Sequence, residues 1–291
     1  MSDANITSTR SARAAFISDP SLEMTGKDVP SLHEAAHAIP VGTKINVTFL
    51  GNEDLEMRVA AAKAVMDLGF TPVPHISARR LGSRAQLEEF LGRLQDVRAI
   101  EKVFVVGGDP TTPLGPYDSS LDVIKTGILK DYGVKEVSIA GYPEGNPEIR
   151  TDVLWQHLEG KAQSLREQGL DTVILTQFAF DTDPVKTWID AVRGRGIDAQ
   201  IRIGTPGPAG IKRLISFARR FGVGANAMIV KKYGFSLANL MGTAGPDRFV
   251  SDLSDLLAAD PQSGDVKLHM YAFGGLLATA EWVNAYSERN R

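Results

Sequence analysis

The sequence predicts a single-domain (β/α)8 barrel, and three observations carry that expectation. Eight short apolar runs alternate with longer amphipathic segments along 291 residues. Such alternation is the pattern of right-handed βαβ units around a parallel sheet. Glycines stand where helical periodicity stops and the next apolar run begins, in DLGFTPVP, REQGLDTV and RGRGIDAQ, as helix C-termini favour. Eight units within this length suit a closed barrel better than an open sheet, and a hydrophobic content of 43% supplies its core.

Taken in order, the expected strands are Ala15–Glu23, Lys44–Leu50, Thr71–Ile76, Lys102–Val106, Glu136–Tyr142, Thr172–Gln177, Asp198–Ile203 and Lys267–Phe273. Between them, Glu53–Leu68 places Leu55, Val59, Ala62, Val65 and Met66 on one helical face, and Ser83–Val97 does the same with Leu87, Phe90, Leu91 and Leu94. Only Gly204–Leu257 breaks the rhythm. It holds TPGPAG, a helix expected over Ile211–Phe221, a glycine-marked stretch and a helix over Pro246–Leu257. Residues 1–14 are expected to be a flexible N-terminus and residues 15–291 the barrel domain. The last helix, Gly275–Tyr286, is expected to leave no room for an added regulatory domain.

Composition narrows the function classes. A net charge of −3 leaves no basic excess for nucleic acid. With no cysteine, disulfides, thiolate metal sites and a thiol nucleophile are excluded, in keeping with a cytoplasmic protein. The five histidines are scattered; His33 and His37 share a helical face without an HExxH base, and read as a solvated face, so no metal is expected. The N-terminus lacks a signal-peptide core, and no apolar run reaches membrane-spanning length.

In a barrel the chemistry sits at the C-terminal strand ends. Those ends carry Glu23, Thr48, His75, the run Gly107-Gly108-Asp109, Tyr142, Gln177, Tyr271 and Phe273. Each also has a plain structural reading: Glu23 as a surface acid, Thr48 as a cap, His75 as a loop hydrogen bonder, Asp109 as a turn residue before Pro110. As a set converging on one rim they read as functional. The sequence has no GxSxG, no P-loop and no GxGxxG. Two acids, an amide, a phenol and aromatics suit an organic cofactor that the protein orients and protonates.

With those residues in place, the sequence resembles the short bacterial, FAD-dependent type of methylenetetrahydrofolate reductase. The resemblance rests on Ser21-Leu22-Glu23, Asn46-Val47-Thr48-Phe49, Pro74-His75-Ile76-Ser77, Gly108-Asp109, Tyr117-Asp118-Ser119-Ser120-Leu121, YPEGNPE from Tyr142 and TQFAFD from Thr176, in the family's order at near-family spacing. It implies a barrel that binds FAD, takes reducing equivalents from NADH or NADPH, and reduces 5,10-methylenetetrahydrofolate to the 5-methyl form in one-carbon metabolism and methionine supply. It also implies a homo-oligomer, without selecting a dimer or a tetramer.

Residue by residue, the resemblance makes Glu23 the general acid that opens the imidazolidine ring. It makes Asp109 a catalytic acid beside the flavin and the pterin. Thr48, His75, Gly107, Gly108, Tyr117, Ser119, Tyr142, Asn146 and Lys161 fall on flavin-binding positions, and Gln177, Arg213 and Phe217 on substrate-binding ones. Two readings stand for Lys161 and Phe217, whose plain alternatives are an exposed helix lysine and a core aromatic. The chain departs from the family pattern at Gly107 (arginine in the family), Asn146 (histidine), Ala179 (an aromatic), Arg213 (glutamine) and Gly275 (arginine). Those departures put flavin affinity, redox tuning and folate recognition in question. A flavin-free pterin-binding methyltransferase and a non-catalytic folate-binding accessory subunit remain as alternatives.

Overall fold

The computed structural model describes residues 13–220 and 243–290. Eight parallel strands form a closed barrel: β1 (Ser21–Met24), β2 (Lys44–Val47), β3 (Thr71–Ser77), β4 (Lys102–Val106), β5 (Glu136–Gly141), β6 (Asp171–Thr176), β7 (Gln200–Pro206) and β8 (Val266–Tyr271). Their order around the barrel is β1-β8-β7-β6-β5-β4-β3-β2, so the expected fold class holds.

Seven of the eight expected strands fall within a few residues of those observed. The first does not: residues 13–17 are helical and the strand starts only at Ser21. The run Ala-Ala-Phe-Ile is too short for periodicity to separate helix from strand. It buries Phe16 and Ile17 (3% and 2% exposed), Arg13 is held by Asp255 at 2.9 Å, and Pro20 disfavours helix at the residue before it. Most of the expected flexible N-terminus, 1–14, lies outside the described residues, as does the glycine-marked stretch of the long connection.

The chain packs as two compact units. One comprises Ser21–Gly141 and Asp152–Leu175, the other Met1–Pro20, Tyr142–Thr151 and Thr176–Arg291. In the first unit, α2 (Leu55–Asp67) and α3 (Arg84–Asp96) follow α1 (Val29–Ala35). Asp54 caps α2 by accepting from the Met57 N–H (2.8 Å), and Ser83 caps α3 by accepting from the Gln86 N–H (3.1 Å). Leu87, Phe90, Leu91 and Leu94 of α3 are all buried, on the face that the sequence spacing marked. Short helices α4 (Ser120–Lys125) and α5 (Ile128–Asp131) precede β5, and α6 (Thr151–Gln168) leads to β6.

In the second unit, α7 (Thr182–Gly194) buries Val185, Trp188, Ile189 and Val192. The connection after β7 forms a two-residue antiparallel pairing of Ala209–Gly210 with Thr243–Ala244. It also carries α8 (Ile211–Arg220) and α9 (Asp247–Ala258); α10 (Leu276–Arg289) follows β8. Among the described residues no helix is long and apolar enough to cross a membrane.

Candidate active site

Side-chain alternation along a strand puts residues two apart on the same face, and at the β1–β4 ends this lines up polar groups. Glu23 is in register with Asn46 on β2. Asn46 is 2% exposed and its Oδ1 finds no hydrogen-bond partner among the described residues. Thr48, just past β2, donates its N–H to Met24 O at 2.9 Å, while its buried Oγ1 has no partner among the described residues. On β3, His75 (7% exposed) packs edge-on against Phe104 with ring centroids 4.7 Å apart.

His75 also approaches Glu23. Its Nε2 lies 3.9 Å from Glu23 Oε2, and the Glu23 side chain is 18% exposed. Loss of hydration raises the Glu23 carboxyl to about 7, against the smaller opposing effect of His75. A carboxyl with that value carries a proton in a large share of molecules at neutral pH, which is what a general acid requires. Glu53 pins the neighbouring loops: its carboxylate accepts from the Gly26 N–H at 2.8 Å and the Leu50 N–H at 2.9 Å.

The two glycines after β4 are unlike each other. Gly108 has φ +95°, and a Cβ there would collide with Ser77 Oγ, so both conformation and space call for glycine. Gly107 has no atom within 4 Å of a built Cβ; nothing in the backbone requires it. Asp109 is 71% exposed and paired with Arg80 Nη2 at 2.6 Å. Its surroundings are therefore an exposed loop, unlike those of Glu23, whose side chain is 18% exposed.

The other first-unit positions divide in the same way. Lys161 on α6 is 5% exposed, which removes the exposed-lysine reading, and burial lowers its ammonium to about 8. Tyr117 is 5% exposed and its phenol is shifted up by burial. Ser119 is a helix cap: its N–H and Oγ both donate to Asp122 Oδ2, at 2.8 and 3.0 Å.

In the second unit Phe217 lies in an aromatic cluster. Phe217 is half-buried and stacks on Phe273 with centroids 3.9 Å apart and planes 6° from parallel. Both pack against the buried Phe178, Phe180, Ala209, Leu214 and Ala218. Tyr271 donates its hydroxyl to Thr176 O at 2.9 Å. The Gln177 Oε1 accepts from the Phe178 N–H at 3.1 Å, Tyr142 has its phenol shifted up by burial, and Arg213 is exposed on α8. Asn146 closes its own turn by accepting from the Glu148 N–H at 2.8 Å.

Sequence reasoning missed Asn46, Ser77 and Arg80. The first two sit two residues from Thr48 and His75, so period-two counting was the available signal; Arg80 had none, since its partner is 29 residues away. Among the described residues no group of three or more His, Asp or Glu side chains is arranged to hold a metal ion.

The family model described as Methylenetetrahydrofolate reductase matches residues 24–232. Methylenetetrahydrofolate reductase 1 of Schizosaccharomyces pombe is 36% identical over 85 residues, which is 29% of this chain and 13% of the yeast protein. The match thus spans only a small part of that relative's length. Among solved structures, dihydropteroate synthase (FolP) from Thermus thermophilus superposes with a TM-score of 0.48 at 12% identity, over 94% of this chain and 95% of that one. Because the family match runs from the end of β1 through most of the strands and past α8, the chain belongs to the methylenetetrahydrofolate reductase family.

Proposed function

We propose that the chain reduces 5,10-methylenetetrahydrofolate to 5-methyltetrahydrofolate, with NAD(P)H as reductant and FAD as cofactor. The observation that carries this reading is Glu23, raised to about 7 by burial 3.9 Å from His75 at a barrel rim. Opening the imidazolidine ring requires a proton on nitrogen, and an ordinary carboxyl is almost fully ionised at neutral pH.

The residues also fit the cofactor. Lys161 is a buried ammonium with no hydrogen bond or ion pair among the described residues, and a buried cation is costly until an anion meets it. A pyrophosphate is such an anion. Thr48 Oγ1 and Ser77 Oγ, buried without partners among the described residues, offer hydroxyls to a polar ring edge or ribityl chain, and the backbone at Gly108 permits close approach of a flat group. When bound, FAD supplies a two-electron store that NAD(P)H fills and the folate empties.

The chain's own residues then divide the work. Glu23 holds a proton for the substrate nitrogen, and His75 lies beside it with its Nε2 3.9 Å away. Phe217, stacked on Phe273, presents an aromatic face for the flat parts of the folate. Gln177 adds an amide at the end of β6, and Arg213, exposed on α8, supplies a cation for an anionic tail.

The test is the purified protein itself. It should be yellow or become so on reconstitution with FAD, its visible band should bleach with NAD(P)H, and methylenetetrahydrofolate should restore it. A colourless protein that binds folate but not FAD overturns the flavin part of the reading. One that neither binds nor turns over folate overturns the whole.

A further inference from the structure

Asp109 stands on a loop beyond β4, 71% exposed, where a carboxylate has little to hold it. Its one recorded partner is Arg80, from the turn after β3. Arg80 Nε and Nη2 both reach Asp109 Oδ1, at 2.9 and 2.6 Å, so the guanidinium straddles a single oxygen and leaves Oδ2 uncommitted among the described residues.

An ordinary surface pair joins two mobile side chains and fixes neither. Here the guanidinium is itself held. Its Cζ lies 5.7 Å from the centre of the Phe49 ring, and on that ring Arg58 stacks at 3.6 Å while also lying 4.5 Å from Phe90. Gly51 packs so close that a Cβ there would come within 2.5 Å of Arg80 Nη1. The same turn grips the β4 loop twice more, with the Arg79 N–H donating to Gly107 O at 2.9 Å and the Leu114 N–H to Arg79 O at 2.9 Å.

We propose that Arg80 is the positioning residue for Asp109: by clamping Oδ1 against a ring-buttressed guanidinium, it presents Oδ2 as a fixed acceptor to an N–H donor on the bound pterin. The planar fork and the stacked face both require arginine, so lysine serves only in part. This inference rests on the reductase reading and assigns to this chain a cation that its own glycine at 107 does not supply.

A double-mutant cycle on the full-length protein tests it, with KM and kcat for methylenetetrahydrofolate read separately. Arg80→Met and Asp109→Asn should each raise KM about tenfold, and the double variant should be no worse than either single one. Arg80→Lys should restore part of the loss. Gly51→Ala, which keeps the charge but displaces the guanidinium, should raise KM in the same direction. Additive effects in the cycle, or an Arg80→Met protein that melts earlier with KM unchanged, would overturn the role of Arg80 while leaving the reductase reading intact. Absence of folate turnover in the unmodified protein would instead overturn the reading on which the proposal stands.

Discussion

The two units treat buried charge in opposite ways. In the second, Arg202 is 2% exposed and committed at both terminal nitrogens, its Nη1 donating to Asp19 O at 2.8 Å and its Nη2 to Asp19 Oδ2 at 2.5 Å. Next to it, His269 is completely buried and pushed down to about 3, by loss of hydration first and by Arg202 second, so it stays neutral. In the first unit Lys161 is buried with no ion-pair partner among the described residues, and Glu23 is lifted to about 7. Arrangements of the first kind hold a barrel together. The second kind costs stability and is what the proposed site, prepared for ligand and proton, would require.

That contrast is sharpened or broken by variants. The largest effect is expected at Glu23: Glu23→Gln should lower folate turnover by about a hundredfold or more while reduction by NAD(P)H continues. If both steps fall together, Glu23 is not the acid for the folate step. Next comes Lys161→Met, expected to weaken FAD binding by roughly tenfold to a hundredfold yet to raise the melting temperature of the ligand-free chain. Calorimetric titration and a thermal scan read the two effects, and a fall in both would place Lys161 with the structural charges.

A smaller effect concerns stability against pH. The Glu23 value in the folded chain, about 7, lies above the ordinary value of 4.5. The folded state therefore holds its proton more tightly than the unfolded chain between those values. Below about pH 4.5 the group imposes no penalty, and its stabilising margin is lost as pH rises toward and through about 7, by on the order of 3 kcal/mol. Glu23→Gln should flatten that part of the stability profile; an unchanged slope would remove Glu23 as its source. The smallest effect is expected from the aromatic cluster of the second unit. Phe217→Ala should raise KM for the folate about tenfold with kcat little changed, and an equal loss in kcat would instead tie Phe217 to the transition state.

The barrel was legible because its signals are local. Periodicity of 3.6 and 2, caps and helix-ending glycines recur along the chain, and an error in one run, Ala15–Glu23, leaves the strand count intact. The site was legible only in part. Glu23, His75 and Lys161 are marked by position in a motif, and their burial follows from the fold. The surroundings of Asp109 were not readable, because the partner that holds it belongs to another βα-loop and no spacing rule joins Arg80 to residue 109. Ser119 and Asn146 show the opposite limit: the sequence aligns them with ligand positions, while their side chains also serve a helix cap and a turn, roles that local sequence explains equally well.

The central claim is that a half-buried Glu23 with a raised pKa supplies the proton for folate reduction, and the pH profile of turnover with methylenetetrahydrofolate tests it most directly. Measured from about pH 5 to about pH 9, kcat/KM, which reports the ligand-free enzyme, should fall above an apparent pKa near 7, by about tenfold per pH unit, and Glu23→Gln should give a flat, low profile. A wild-type profile without that limb, or one of the same shape in the variant, would contradict the account.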